Sequence, residues 1–212
     1  MSSPHLPTRR VSDAPTRMFH WLLALCFAGA YLTSESERVQ RLHAAFGYTM
    51  LAVLLFRLAY GWLGPRSVRW TSWLTKLRSG WAWCRSLRHA HHLLHLSGAD
   101  VRAAQNLALV LATSALTVLP APLIWSGHLL YTGAAEWLED VHEAMANAML
   151  LGVVAHLLML ALFSAMRGTN LALPMLRGRV PGVGPDLVER PRVWLALALL
   201  LLSCTLGGWV AL

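Results

Sequence analysis

The run VWLALALLLLSCTLGGWVAL, from Val193 to Leu212, holds twenty residues without a charge. A helix apolar on every side is either enclosed by protein or set in lipid. About 17–25 mostly apolar residues cross the hydrocarbon core of a bilayer. Four more stretches approach that length: Met18–Thr33, His43–Leu63, Ala103–Leu119 and Val141–Met166. Only 13% of the 212 residues are charged, where a soluble domain carries about a quarter. The pattern predicts an all-α integral membrane protein with five spans. Met18–Thr33 also has the outline of a secretory signal, with Arg9, Arg10 and Arg17 ahead of an apolar run that ends in AGA at Ala28–Ala30. The later spans, and His20–Trp21 at the start of the run, weigh toward a span.

The charges set an orientation. Net charge is +8, which on a soluble chain would suggest nucleic acid. Here sixteen of the eighteen Lys and Arg fall in the N-terminus, in Arg57–Arg102 and in Arg167–Arg192. Pro120–Asp140 has none, and carries Glu136, Glu139 and Asp140. In Ser34–Leu42, Arg38 and Arg41 are offset by Glu35 and Glu37. Lys and Arg are retained on the cytoplasmic side. The expectation is a cytoplasmic N-terminus, a periplasmic C-terminus and no nucleic-acid partner. Cys26, Cys84 and Cys204 have no metal, haem-attachment or disulfide spacing and read as small buried hydrophobes.

Between the second and third spans stands RWTSWLTKLRSGWAWCRSLRHAHHLLHL. Trp70, Trp73, Leu74, Leu77, Trp81 and Cys84 follow helical spacing, with basic residues filling much of the other face. Such a segment is expected to lie in the membrane interface on the cytoplasmic side. Its His89, His91, His92 and His95 read as a solvated face, His128 as a residue of the outer loop, and His5 as part of a leader. Pro181, Gly182, Gly184 and Pro185 mark a loop before the last span.

His20, His43, His142 and His156 belong to spans, where ionisable groups are costly and usually functional. His142 and His156 are fourteen residues apart, roughly 21 Å along a helix and about 40° around it, so both can address one interior. With the N-terminus inside, His20 and His156 fall near the cytoplasmic face, His43 and His142 near the outer one. Two pairs at two depths suit two stacked haems, each iron taking two imidazoles and keeping no open position, an arrangement for moving electrons. Zinc or copper would want three or four ligands at one depth. Arg57, fourteen residues after His43, reaches the inner depth, where it either faces a haem propionate or snorkels to the interface. A non-redox reading makes the histidines a proton path in a small transporter.

The stretches RMFHWLLALCFAGAYLT, RLHAAFGYTMLAVLLFRLAYGWLGPR and LEDVHEAMANAMLLGVVAHLLML resemble bacterial di-haem cytochromes b of the b561 type, which are similar to the b-type subunits of nickel–iron hydrogenases and formate dehydrogenases. The resemblance covers roughly residues 11–180. It implies a four-helix bundle over residues 1–180 holding two non-covalent b haems, with His20, His43, His142 and His156 as ligands. Residues 181–212 add a loop and a fifth C-terminal helix. It implies a bacterial inner-membrane protein that exchanges electrons with ubiquinone or menaquinone and with a partner such as a periplasmic c-type cytochrome. Two other roles remain open: a superoxide:quinone oxidoreductase, and the membrane anchor of a hydrogenase or dehydrogenase. Many relatives have a GHNP-like stretch before the third helix, where this chain reads LSGADVRAAQNL.

Overall fold

A computed structural model describes residues 7–35, 37–88 and 97–211. His5 and the cluster His89, His91, His92 and His95 lie outside the described residues. The chain is helical almost throughout: α1 (Ala14–Leu32), α2 (Gln40–Leu63), α3 (Trp70–Arg88), α4 (Gly98–Val118), α5 (Pro120–Tyr131), α6 (Glu139–Arg167), α7 (Leu173–Leu176) and α8 (Val193–Ala211). A short antiparallel ribbon pairs β1 (Thr8–Arg10) with β2 (Arg179–Pro181).

Four of the described helices are long and apolar enough to cross a membrane: 40–63, 98–131, 136–167 and 193–211. The first expected span, α1, is 19 residues long but is not among them. Arg17 and His20 dilute its first two turns, yet Phe19, Leu23, Cys26 and Phe27 are buried in the core.

Two helical groups make the body. α1, α2 and α8 pack closely on one another, while α6 packs on α4 and α5 and scarcely touches α1 or α2. The final apolar run is therefore part of the first group and not an appendage. Its inner seam is Ala196, Leu199 and Ser203, all buried, with Gly207 against the Thr49 hydroxyl. Small residues at such spacing let helix backbones approach where lipid offers no hydrophobic drive.

Two sequence expectations are corrected. The third span does not stop at Leu119. Leu119 keeps helical angles (φ −54°, ψ −35°), and Pro120 takes the first position of α5, so the chain runs on in helical form to Tyr131. Proline usually ends a helix, but its ring fits a first helical turn and its missing N–H costs nothing there. His128 is accordingly on a helix and not in an outer loop.

The tryptophan-rich helix has a neighbour in the bundle. α3 runs antiparallel along α4: Trp73 donates to Ser114 Oγ (2.8 Å), Gly80 sits against Leu107, and Trp83 donates to Asp100 Oδ1 (3.1 Å). Trp81 and Leu74 of the predicted face are exposed, while Trp73 and Trp83 turn to α4. Tryptophan N–H groups that find partners in a neighbouring helix fix this orientation.

Asp13 holds the start of α1. It is fully buried; one carboxylate oxygen caps the helix by accepting from Thr16 N (3.2 Å), and the other accepts from the Tyr60 hydroxyl (2.5 Å). Asp13→Ala removes a cap and strands a buried hydroxyl, a cost of about 2 kcal/mol or more. The expected result is a lower thermal midpoint in detergent, with part of the loss returned when Tyr60→Phe is added, because the stranded group is then gone.

Candidate functional site

The outer histidines meet in the gap between the two helical groups. His43 stands in the first turn of α2 and His142 in the first turn of α6. Their ring centroids are 6.2 Å apart with planes at 72°. A metal–imidazole bond is about 2 Å, so two rings facing each other across one metal ion have centroids roughly 6 Å apart. The observed separation matches that span.

Both rings have the right nitrogen spoken for. His43 Nδ1 lies 2.9 Å from Ala30 O, a carbonyl that can only accept, so Nδ1 carries the proton. His142 Nδ1 lies 3.0 Å from Ser126 Oγ, whose own proton goes to Leu123 O (3.0 Å). Ser126 therefore accepts from His142 as well. In each ring Nε2 keeps its lone pair, the tautomer a metal takes, and the Nδ1 partner sets the ring's direction.

A cavity of about 500 Å³ opens beside this pair. Its walls include Ala44, Gly47, Tyr48, Gly127 and Ala146, and it lies within the range of sites for flat organic ligands. Gly47 has nothing within 4 Å of where a Cβ would stand, so its face is open space. Gly127 is different: a Cβ there would lie 2.8 Å from His142 Cε1, so this glycine makes room for the imidazole. Glu35, Glu139 and Glu143 also line the cavity, with His128, whose Nδ1 meets the Tyr48 hydroxyl at 2.7 Å.

His20 stands on α1 and His156 on α6. His156 Nδ1 is buried with no hydrogen-bond partner, as are Thr16 Oγ1 and Arg17 Nε at the same end of α1. Buried polar atoms are nearly always satisfied, so such a group of orphans fits a site that receives a polar-edged ligand. His20 packs edge-on to Trp21 at 5.2 Å, and Trp21 donates to Met175 O (3.2 Å). Arg57, on α2, is half-buried. Its guanidinium lies 4.7 Å from the Trp70 ring and 6.0 Å from Phe19, and NH1 donates to Val68 O (3.3 Å).

Between the pairs the gap closes. Met149 is the buried residue of α6, seven positions from either histidine, and it joins a core with Phe27, Met50 and Val53. Met149 thus stands between the levels of His142 and His156 on α6. Among the described residues, no three His, Cys, Asp or Glu side chains converge on one metal position.

Sequence reasoning missed Ser126 and Gly127, the residues that orient and admit His142. Their signal was SGH in an uncharged stretch that read as a loop. It also missed the Asp13–Tyr60 pair, which no spacing announces. Ser126→Ala should weaken the outer site about 10-fold or more, as removal of a ring-orienting partner does at other metal sites. Haem retention through a long detergent wash reads this out.

A family model described as prokaryotic cytochrome b561 matches residues 11–178. No curated protein and no solved structure matched the chain.

Proposed function

The chain belongs to the prokaryotic cytochrome b561 family, and from that premise we propose a two-haem path that carries electrons across the plasma membrane between quinone and a redox protein. Membership makes it a membrane cytochrome b that binds b-type haem and serves transmembrane electron transfer. The finer reading gives one haem to His43 and His142, and a second to His20 and His156, with Arg57 near the propionates of the second. The observation that carries it is the outer pair: two imidazoles 6.2 Å apart, each with Nδ1 engaged.

Bound haem supplies a reversible one-electron couple. The protein does the rest. His43 and His142 would be the residues that hold one haem, and with both imidazoles engaged that haem would serve electron transfer, with no position left for oxygen or substrate. Ser126 and the Ala30 carbonyl raise the basicity of those rings by accepting their protons' hydrogen bonds. Met149, Met50 and Phe27 exclude water between the two levels.

The partner's charge follows from the outer cavity. Three carboxylates line it, Glu35, Glu139 and Glu143. Like charge repels an approaching anion, so superoxide is poorly served, and a redox protein with a basic face is well served. The proposed orientation puts the N-terminus in the cytoplasm and the C-terminus in the periplasm, from the Lys and Arg distribution.

Dithionite-reduced spectra and a haem assay on purified protein test the scheme. Two b haems per chain and two one-electron steps in a potentiometric titration are expected. One haem per chain would sink it. In proteoliposomes, a reduced quinone should reduce the haems; no reduction would remove quinone from the path.

A further inference from the structure

At the opposite end of the bundle from the outer cavity, α2 ends at Leu63 and the chain enters α8 at Val193. Between these two points lies a second cavity of about 630 Å³. Four arginines line it, Arg66, Arg69, Arg190 and Arg192, against one carboxylate, Glu189. We propose that it is a binding site for the phosphate headgroup of an anionic phospholipid.

The pocket is preformed. Its 187–192 wall is tied to the N-terminal strand: Leu187 N donates to Arg10 O (2.8 Å), Arg10 N to Asp186 Oδ1 (2.5 Å), Arg10 NH1 to Glu189 O (3.0 Å), and Ala14 N to Pro191 O (3.0 Å). Val188 is buried beneath it. On the other wall Arg69 Nε donates to Gly64 O (2.9 Å). Arg192 takes a left-handed backbone (φ 49°), which an L residue adopts at a cost, and it points NH1 at the Tyr60 hydroxyl (3.3 Å). The Arg66 and Arg190 guanidinium groups make no hydrogen bond or ion pair among the described residues. Four cations held together by such a frame repel one another unless an anion joins them. Guanidinium forks match phosphate oxygens in geometry and charge.

The location selects a lipid over a free anion. The cavity sits where two apolar helices end, at the level of the exposed Trp62 and Trp194. Tryptophan marks the headgroup region. Leu63 and Leu187 are exposed at the rim and offer apolar surface to acyl chains. Basic pockets among membrane helices bind phospholipid headgroups through the same chemistry. Arg192 connects the pocket through Tyr60 to Asp13, the cap of the helix that carries His20.

Native mass spectrometry of the haem-loaded protein from phosphatidylglycerol nanodiscs provides the test, with phosphatidylcholine nanodiscs and millimolar inorganic phosphate as separate arms. Wild-type protein should keep phosphatidylglycerol and not phosphatidylcholine. Arg66→Gln with Arg190→Gln should retain several-fold less lipid at unchanged haem content. Glu189→Gln, which removes the one opposing charge, should retain more, and it keeps the test open if the arginine variant fails to fold. Equal retention in all variants, or equal retention of the two lipids, overturns the proposal. Inorganic phosphate that displaces the lipid outright makes the site one for a free anion and overturns it too.

Discussion

His43→Ala and His142→Ala should each take the haem content from two per chain to one, and both should remove the same couple from the titration. The reason is geometric. The two ring centroids lie 6.2 Å apart on different helices, so either one alone could hold a metal from only one side. The double variant should therefore lose no more haem than either single one, a non-additivity expected of residues that act as one unit. His20→Ala and His156→Ala should form a second such set that removes the other couple. The sets are insulated by Met149, Met50 and Phe27, so an outer variant should leave the inner couple in place. Half-buried histidines do not carry the core, and the variants should still insert. If His43→Ala and His142→Ala removed different couples, the pairing is wrong. If all four lost both haems, the chain folds around them as a single unit.

The approach of His43 to His142 was legible because a helix has one period and a bilayer one thickness. Fourteen residues return a helix nearly to the same face and move it across much of the membrane, so His142 and His156 announce two levels on one side. The charge distribution then assigned a depth to His20 and His43, and the structure brings His43 against His142. The second coordination layer could not be read the same way. Ser126 and Gly127 lie beyond Pro120, and a proline after an uncharged run has two outcomes that sequence does not separate: a stop, or the first turn of a continuing helix. Leu119 keeps helical angles and decides for the second. The tryptophan-rich helix was ambiguous for another reason. Tryptophans interleaved with arginines suit both a lipid interface and the flank of another helix. Ser114 and Asp100, which receive Trp73 and Trp83, carry no mark as acceptors until α4 is laid alongside. Tyr60 and Asp13 are 47 residues apart, and their contact is a product of packing.

Gly47→Leu should abolish the outer haem while leaving protein packing undisturbed, and this outcome separates a haem cavity from a packing gap. A Cβ at Gly47 would have nothing within 4 Å, so the chain's own atoms offer no objection to a larger side chain. Judged by protein contacts alone, filling that space is neutral or stabilising, since leucine suits a helix better than glycine by about 1 kcal/mol. Yet Gly47 stands one turn after His43 on the same face and lines the cavity beside the His43–His142 pair. A macrocycle centred between those rings would need that volume, and an isobutyl group would occupy it. Gly127→Val works through a different route. Its Cβ would press on His142 Cε1 at 2.8 Å, turn the imidazole and break its bond to Ser126. Both variants should therefore lose the outer couple and keep the inner one, but for distinct causes. Gly127→Val should also lower the thermal midpoint of haem-free protein, while Gly47→Leu should hold or raise it. Full haem content and an unmoved outer potential in Gly47→Leu would mean that the cavity does not hold the porphyrin, and that the 6.2 Å approach of His43 and His142 is a contact between two packed rings.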